Sequence, residues 1–255
     1  MGLGDFFQRV EKLMISNMFL FQHNKWGITR DFIVHDRRNF VPRITHNMPT
    51  FGIEQFKVLN IFVADQQYVR EVLPNIFNMC IGDNIDRFIQ NINDYIVALN
   101  HQHFNIINCR FSLKYFLVNI DTLMTFLRFV SDRLIENGIF MGFMLDTDKI
   151  NGIFTEQSSL ESGSYKLEMS REYGDDSLFN TVYVNDEICF VMSRINFNAV
   201  CSRVGLKNIK YIDMKQLYKE YFHNIELSKS DKKFGFLNTV FIFKKTQAIN
   251  AEDDE

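Results

Sequence analysis

Few of the side chains that do chemistry in enzymes fall into a catalytic pattern in this sequence. It holds no Ser-His-Asp or Cys-His arrangement, no phosphate-binding glycine loop and no cluster with metal-ligand spacing. His101 and His103 lie close together, but two histidines without a third ligand belong more often to a loop than to a metal site. What the chain does offer is positive charge beside aromatic rings. Between residues 22 and 47, His23, Lys25, Arg30, His35, Arg37, Arg38, Arg43 and His46 face only Asp31 and Asp36, with Trp26 and Phe40 interleaved. Such a segment suits contact with RNA phosphates and bases, and it suits a solvated surface loop equally well.

Composition narrows the classes. A chain of 255 residues, 46% of them hydrophobic, can bury one large core, so a single main domain is expected. A formal charge of −3 argues against a protein that coats nucleic acid by bulk electrostatics, while leaving local patches open. Cys80, Cys109, Cys189 and Cys201 lack metal spacing and read as reduced residues of an intracellular protein. No apolar run reaches membrane-spanning length, and the N-terminus lacks a signal-peptide pattern.

The elements that must position any site centre on residues 104–150. Phe104–Cys109 is an apolar run suited to a strand buried on both faces. Asp121 reads as an N-cap, and Leu123, Met124, Phe126, Leu127, Val130 and Leu134 recur at helical spacing. Asn137-Gly138 is expected to end that helix, and Ile139–Leu145 to form a second buried strand closed by the loop Asp146-Thr147-Asp148. Strand, helix and strand make a βαβ unit with a right-handed crossover. Upstream, Asp5–Phe21 carries Phe6, Phe7, Val10, Leu13, Met14 and Met18 at helical spacing, with more apolar surface than one packed stripe needs. Residues 56–63 and the run ending at Cys80 read as further strands. Downstream come a loop and hairpin in 152–174, a strand at 181–184, a run at 187–191 that leads into a helix ending at Gly205-Leu206, a strand and amphipathic segment in 207–221, and a closing strand in 236–245.

The pieces FNIINCRFSLKYF and RLIENGIFMGFMLDTDKI, together with Glu187-Ile188-Cys189-Phe190-Val191 and the closing FLNTVFIFKK, resemble the messenger-RNA cap guanine-N7 methyltransferase family of viral-type capping enzymes. The resemblance covers about residues 45–245. It implies a class I methyltransferase fold that binds S-adenosylmethionine at the edge of the first βα unit. By that resemblance Asn60, Asp83, Arg110 and Phe111 stand on the cofactor side, and Lys114, Tyr115, Glu187 and Asn238 on the cap side. Lys114 stands where the family has His, Asn238 where it has Tyr and Arg110 where it has Gln. Lys114 and Arg110 add charge fit for a triphosphate or RNA backbone. Arg37 and Arg38 extend that expected RNA path.

The departure that matters most follows the first strand. There the family has a glycine-rich turn, whose missing side chains let the backbone approach the cofactor. This chain reads Leu59-Asn60-Ile61-Phe62-Val63-Ala64-Asp65-Gln66-Gln67-Tyr68, with no glycine. Asp83, nearest the family's ribose-binding acid, and Asp86 are explained more simply as helix caps.

The expectation is therefore an α/β, Rossmann-like class I methyltransferase fold, a seven-stranded sheet with helices on both faces and an antiparallel last strand. Residues 1–45 form a helix and basic segment, 46–246 the methyltransferase-like domain and 247–255 a disordered acidic tail. The expected function is that of a degenerate cap methyltransferase homologue in viral-type mRNA capping, a non-catalytic RNA-binding or stimulatory partner. An active guanine-N7 methyltransferase with an atypical S-adenosylmethionine site is the alternative, and a structural module of a transcription complex the third. Expected partners are capped RNA or an RNA 5′ end and a capping-enzyme or transcription-complex subunit, as a homo- or heterodimer without membrane contact. The expected compartment is the cytoplasm, at a replication site, or the nucleus.

Overall fold

A computed structural model describes residues 57–62, 76–80, 89–90, 92–99, 101–109, 112–155, 159–162, 165–169, 179–184, 187–224 and 226–246. The apolar runs foreseen as strands pair into a six-stranded sheet. It contains β1 (Val58–Phe62), β2 (Ile76–Cys80), β3 (Phe104–Cys109), β4 (Leu134–Leu145), β9 (Leu206–Asp213) and β10 (Asn238–Lys245), in the order β2-β1-β3-β4-β10-β9. β2, β1, β3 and β4 are parallel, and β10 runs antiparallel to both of its neighbours. An antiparallel strand inserted beside the last parallel ones, in a sheet whose order reverses between β1 and β3, is the class I methyltransferase-like arrangement that the sequence predicts. Among the described residues this sheet has six strands where seven are expected.

Helices connect and cover these strands: α1 (Ile92–Ala98), α2 (Leu113–Phe116), α3 (Ile120–Arg133), α4 (Thr147–Phe154), α5 (Arg194–Ser202), α6 (Met214–Tyr221) and α7 (Lys229–Gly235). Between α4 and α5, β5 (Ser159–Ser162), β6 (Tyr165–Met169), β7 (Phe179–Val184) and β8 (Glu187–Met192) form a separate antiparallel sheet of four strands in sequence order. Tyr95–Ala98 lies in α1.

Phenylalanine holds the main core together. Phe116 stacks on Phe126 at 3.8 Å between ring centroids, Phe126 meets Phe140 edge-on at 6.1 Å, and Phe241 contacts Phe140 at 5.0 Å and Phe197 at 5.3 Å. The chain of rings ties α2, α3, β4, β10 and α5 to one face of the sheet. Each fully buried ring contributes about 1.5–3 kcal/mol by leaving water. The opposite face, with Val58, Ile106, Ile139, Met141, Val240 and Ile242, is buried as well. That is why these strands read as unbroken apolar runs.

Two expectations around α3 are corrected. The N-cap is Asn119, whose side chain accepts from the Thr122 N–H at 2.8 Å; Asp121 lies one residue inside the helix. The helix ends at Arg133, before Asn137-Gly138, because Leu134 already turns extended and pairs with Phe104. Asn137 takes the left-handed conformation at φ 63°, inside β4, where the pairing with β3 slips between Phe104 and Ile106. Asn tolerates that region better than most residues. Further along, Gly142 lets β4 approach β3: a Cβ there would lie 2.1 Å from the Cys109 carbonyl oxygen and 2.7 Å from Phe241. Asp146, expected in a loop, is the residue that opens α4.

Candidate functional site

In an open α/β sheet ligands gather outside the carboxyl ends of the parallel strands, where the strand order reverses. That reversal lies between β1 and β3. At this seam Asn108 donates through Nδ2 to Asn60 Oδ1 at 2.9 Å, and Ser112 Oγ donates to the Ile61 carbonyl at 3.3 Å. Asn60 is 1% exposed, so its side chain is spent on cross-linking the strands. Asp83, Arg110 and Phe111, the other expected cofactor contacts, lie outside the described residues, as do Arg37 and Arg38. The turn after β1 that would cradle S-adenosylmethionine, the group this fold implies, lies outside the described residues. Its sequence, Val63-Ala64-Asp65-Gln66-Gln67, holds no glycine, and Asn60 in β1 is buried.

The side that the resemblance assigns to the cap lies within the described residues. A cavity of about 280 Å³ opens between the end of β4, α2, the start of β10 and the smaller sheet. Its walls are Leu113, Leu117, Phe143, Met144 and Leu145 on one side and Leu167, Val184, Cys189, Phe190, Val191, Phe234 and Leu237 on the other, with Lys114 and Asn238 as its polar members. The cavity thus lies at the junction of the main core and the smaller core of Ile150, Leu160, Leu167, Val182, Cys189, Val191, Phe234 and Leu237.

The structure brings two of the four expected cap-side residues, Lys114 and Asn238, to this cavity and a third beside it. Lys114 Nζ stands 4.9 Å from the centroid of the Tyr115 ring, a cation–π contact. Asn238 donates through Nδ2 to the Phe234 and Gly235 carbonyls, each at 3.4 Å, fastening the end of α7 to the start of β10. Glu187 heads β8, the strand whose Cys189, Phe190 and Val191 wall the cavity. Apolar walls with a few polar groups at the rim are the usual make-up of a small-molecule site.

A charged group that the sequence reading passed over lies at the same end of the sheet. Asp146, 1% exposed, pairs with Arg194 and stands 3.8 Å from Lys149 Nζ. Lys149 in turn binds Asp213 at 2.6 Å and donates to the Phe236 and Asn238 carbonyls at 2.7 and 3.2 Å. Arg194 also lies 5.2 Å from the Tyr211 ring, and Tyr211 donates to Asn198 Oδ1 at 2.8 Å. Burial pushes the Tyr211 hydroxyl well above its ordinary range, with Cys201 and Asp146 adding to the shift against Arg194. These groups clamp β4, α5, β9 and α7 together behind the cavity. The available signal was an aspartate ending a buried strand, with Arg194 opening a helix far along the chain; nothing in the spacing joins them.

Cys109 and Cys201 are buried free thiols, and desolvation raises both well above the ordinary thiol range, so neither is a nucleophile. Among the described residues no group of three metal-ligating side chains occurs, and no helix is long and apolar enough to cross a membrane.

No protein-family model matches the sequence, and no curated protein matches it. Solved structures do resemble the fold. An S-adenosylmethionine-dependent methyltransferase from Clostridium acetobutylicum is 12% identical, covering 90% of this chain and 98% of that one at a TM-score of 0.45. A putative S-adenosylmethionine-dependent methyltransferase from Listeria monocytogenes is 13% identical over 75% of this chain and 80% of that one, with a TM-score of 0.43. CalS10, an amino pentose methyltransferase from Micromonospora echinaspora solved with S-adenosylmethionine, is 10% identical over 89% and 96%, at 0.39. The fold assignment rests on the strand order and directions described above, to which likeness at these scores adds nothing.

Proposed function

We propose that the protein is a degenerate relative of the messenger-RNA cap guanine-N7 methyltransferases, serving a viral-type capping apparatus as a non-catalytic, RNA-binding or stimulatory partner. One contrast carries this reading. The substrate side keeps a walled apolar cavity with Lys114 and Asn238 among its lining, whereas the cofactor side has lost every glycine of the turn after β1. N7 of guanine is already nucleophilic, so transfer of a methyl group is mainly a matter of positioning two ligands. A chain with one pocket intact and the other altered keeps recognition and gives up transfer. In this reading a purine ring lies among the apolar walls and the Lys114 ammonium attracts the phosphates attached to it.

Titration calorimetry tests the reading with two ligands. S-adenosylhomocysteine is expected to give no binding heat, and a guanosine triphosphate cap analogue a measurable one that falls several-fold in Lys114→Ala. Micromolar affinity for S-adenosylhomocysteine would replace this reading with the second one, an active guanine-N7 methyltransferase with an atypical cofactor site. No heat with either ligand would remove the cap from the reading altogether.

A further inference from the structure

The opposite end of the sheet carries positive charge that the crevice does not use. Lys244, next to last in β10, lies directly opposite Lys207 at the start of β9, so two lysines share one face of the ladder. Like charges placed opposite each other in adjacent strands destabilise a sheet. Arg203 is exposed on the turn before β9, and Val204 of that turn accepts a hydrogen bond from Ser131 Oγ at 2.7 Å. Arg133 ends α3 at this rim, and its Nε and Nη1 are buried with no hydrogen-bond partner among the described residues. Lys245 is committed to the carbonyls of Ser131 and Leu134, at 2.6 and 3.0 Å. No salt bridge within 4.0 Å neutralises Arg133, Arg203, Lys207 or Lys244 among the described residues.

We propose that this face, at the amino ends of the parallel strands, is a docking surface for the phosphate backbone of a nucleic acid. A repelling lysine pair with no carboxylate within 4.0 Å among the described residues is what a surface shows when the anion that completes it comes from outside. Lysine suits phosphate as a point charge that needs no fixed fork geometry. Ile209, 49% exposed, is the one large apolar side chain exposed on the same strand, too little to anchor a protein partner. Interfaces with nucleic acid are more polar and far more positive than those between proteins. The surface is separate from the cavity and stands whether or not the cavity accepts a cap.

The test is fluorescence anisotropy of a short labelled single-stranded RNA with the full chain, between about 50 and 200 mM salt. Affinity is expected to fall linearly with salt on logarithmic axes. Lys207→Glu with Lys244→Glu is expected to weaken binding by about tenfold and lower the salt slope by about two. Lys229→Glu with Lys233→Glu, which removes the same charge from α7 at the crevice end, is expected to change the affinity by less than about twofold. Arg203→Gln with Lys207→Gln, both exposed positions, repeats the test with milder changes. Equal loss from both pairs of reversals, or none from Lys207 and Lys244, overturns the proposal. So does polyglutamate that binds more tightly than RNA at equal salt, which would make the partner an acidic protein. Because the cavity is probed with a mononucleotide and this face with an oligonucleotide, one reading can fail while the other holds.

Discussion

At the carboxyl end of β4, Asp146 is almost wholly buried yet answered by Arg194 and Lys149; at the amino end, Arg203 and Lys207 stand in solvent with no carboxylate within 4.0 Å among the described residues. The first arrangement takes charge out of water, an expense that only good geometry offsets, and uses it to fix where β4, α5, β9 and α7 meet. The second leaves charge in water, where repulsion is cheap and screening is easy. The crevice end is therefore expected to govern the stability of the fold, and the amino end its long-range attraction for anions. Their roles separate experimentally, because a change at one end should leave the property of the other intact.

The largest effect is expected from Asp146→Asn. It leaves Arg194 and Lys149 facing each other around a neutral amide, and removing one partner of a buried ion pair costs about 3–5 kcal/mol. The loss should fall toward the lower end of that range, since Arg194 is 34% exposed and Lys149 keeps Asp213 at 2.6 Å. Urea denaturation measures it. A loss under about 0.5 kcal/mol would place Asp146 among ordinary surface groups and dissolve the contrast between the two ends.

A smaller effect of opposite sign is expected from Lys207→Glu. It converts the like-charged pair with Lys244 into an opposite-charged one, a gain of about 0.5 kcal/mol at low salt that fades toward 1 M as screening shortens to about 3 Å. Thermal melts at the two salt concentrations read it directly. Destabilisation at low salt would show that Lys207 already has an anion to hold in the isolated chain.

How much of this could be read from the sequence follows from range. The strands of the main sheet and the helix after β3 declare themselves because burial on both faces or on one stripe leaves a local periodic trace, as in Phe104–Cys109 and Leu123–Val130. The end of α3 was misread because Asn137-Gly138 has the composition of a helix stop. What decides it is the pairing of Leu134 with Phe104, a contact across 30 positions that no local window contains. Of the site, the resemblance located Lys114 and Asn238, whose residue types sit in recognisable frames. It could not locate Asp146 with Arg194, 48 positions apart, or Lys244 opposite Lys207, because each pair exists only through the strand order. Of the four-stranded sheet, the hairpin and the strand at 181–184 are legible; β8, read as a lead into a helix, and the sheet's part in walling a cavity are not.

The smallest effect concerns protons. His103 lies near the amino-end cations; burial lowers its affinity for a proton, and Arg133 and Lys245 lower it further against the pull of Asp132. The folded protein thus binds the proton less readily than the unfolded chain, whose histidine titrates near 6.5. Stability from this group therefore rises with pH across the window between the folded value and 6.5, and the full penalty applies below that window. At the other end Asp213 shifts in the same direction, as a gain above its window where His103 gives a penalty below its own. Partial burial raises its carboxyl, but the Lys149 hydrogen bond and the backbone N–H groups of Gln216 and Lys215 outweigh that and hold it below 3.8. Its contribution is complete above 3.8 and is lost as pH falls through the folded value. An NMR titration of His103 is expected to give a midpoint below 6.5 that climbs on adding salt, in Arg133→Gln, and again when RNA is bound. Salt and Arg133→Gln read the field of the cations, and RNA reads its neutralisation by phosphate. A midpoint that responds to the first two and not to RNA would leave the electrostatics of the amino end intact and take the nucleic acid away from it.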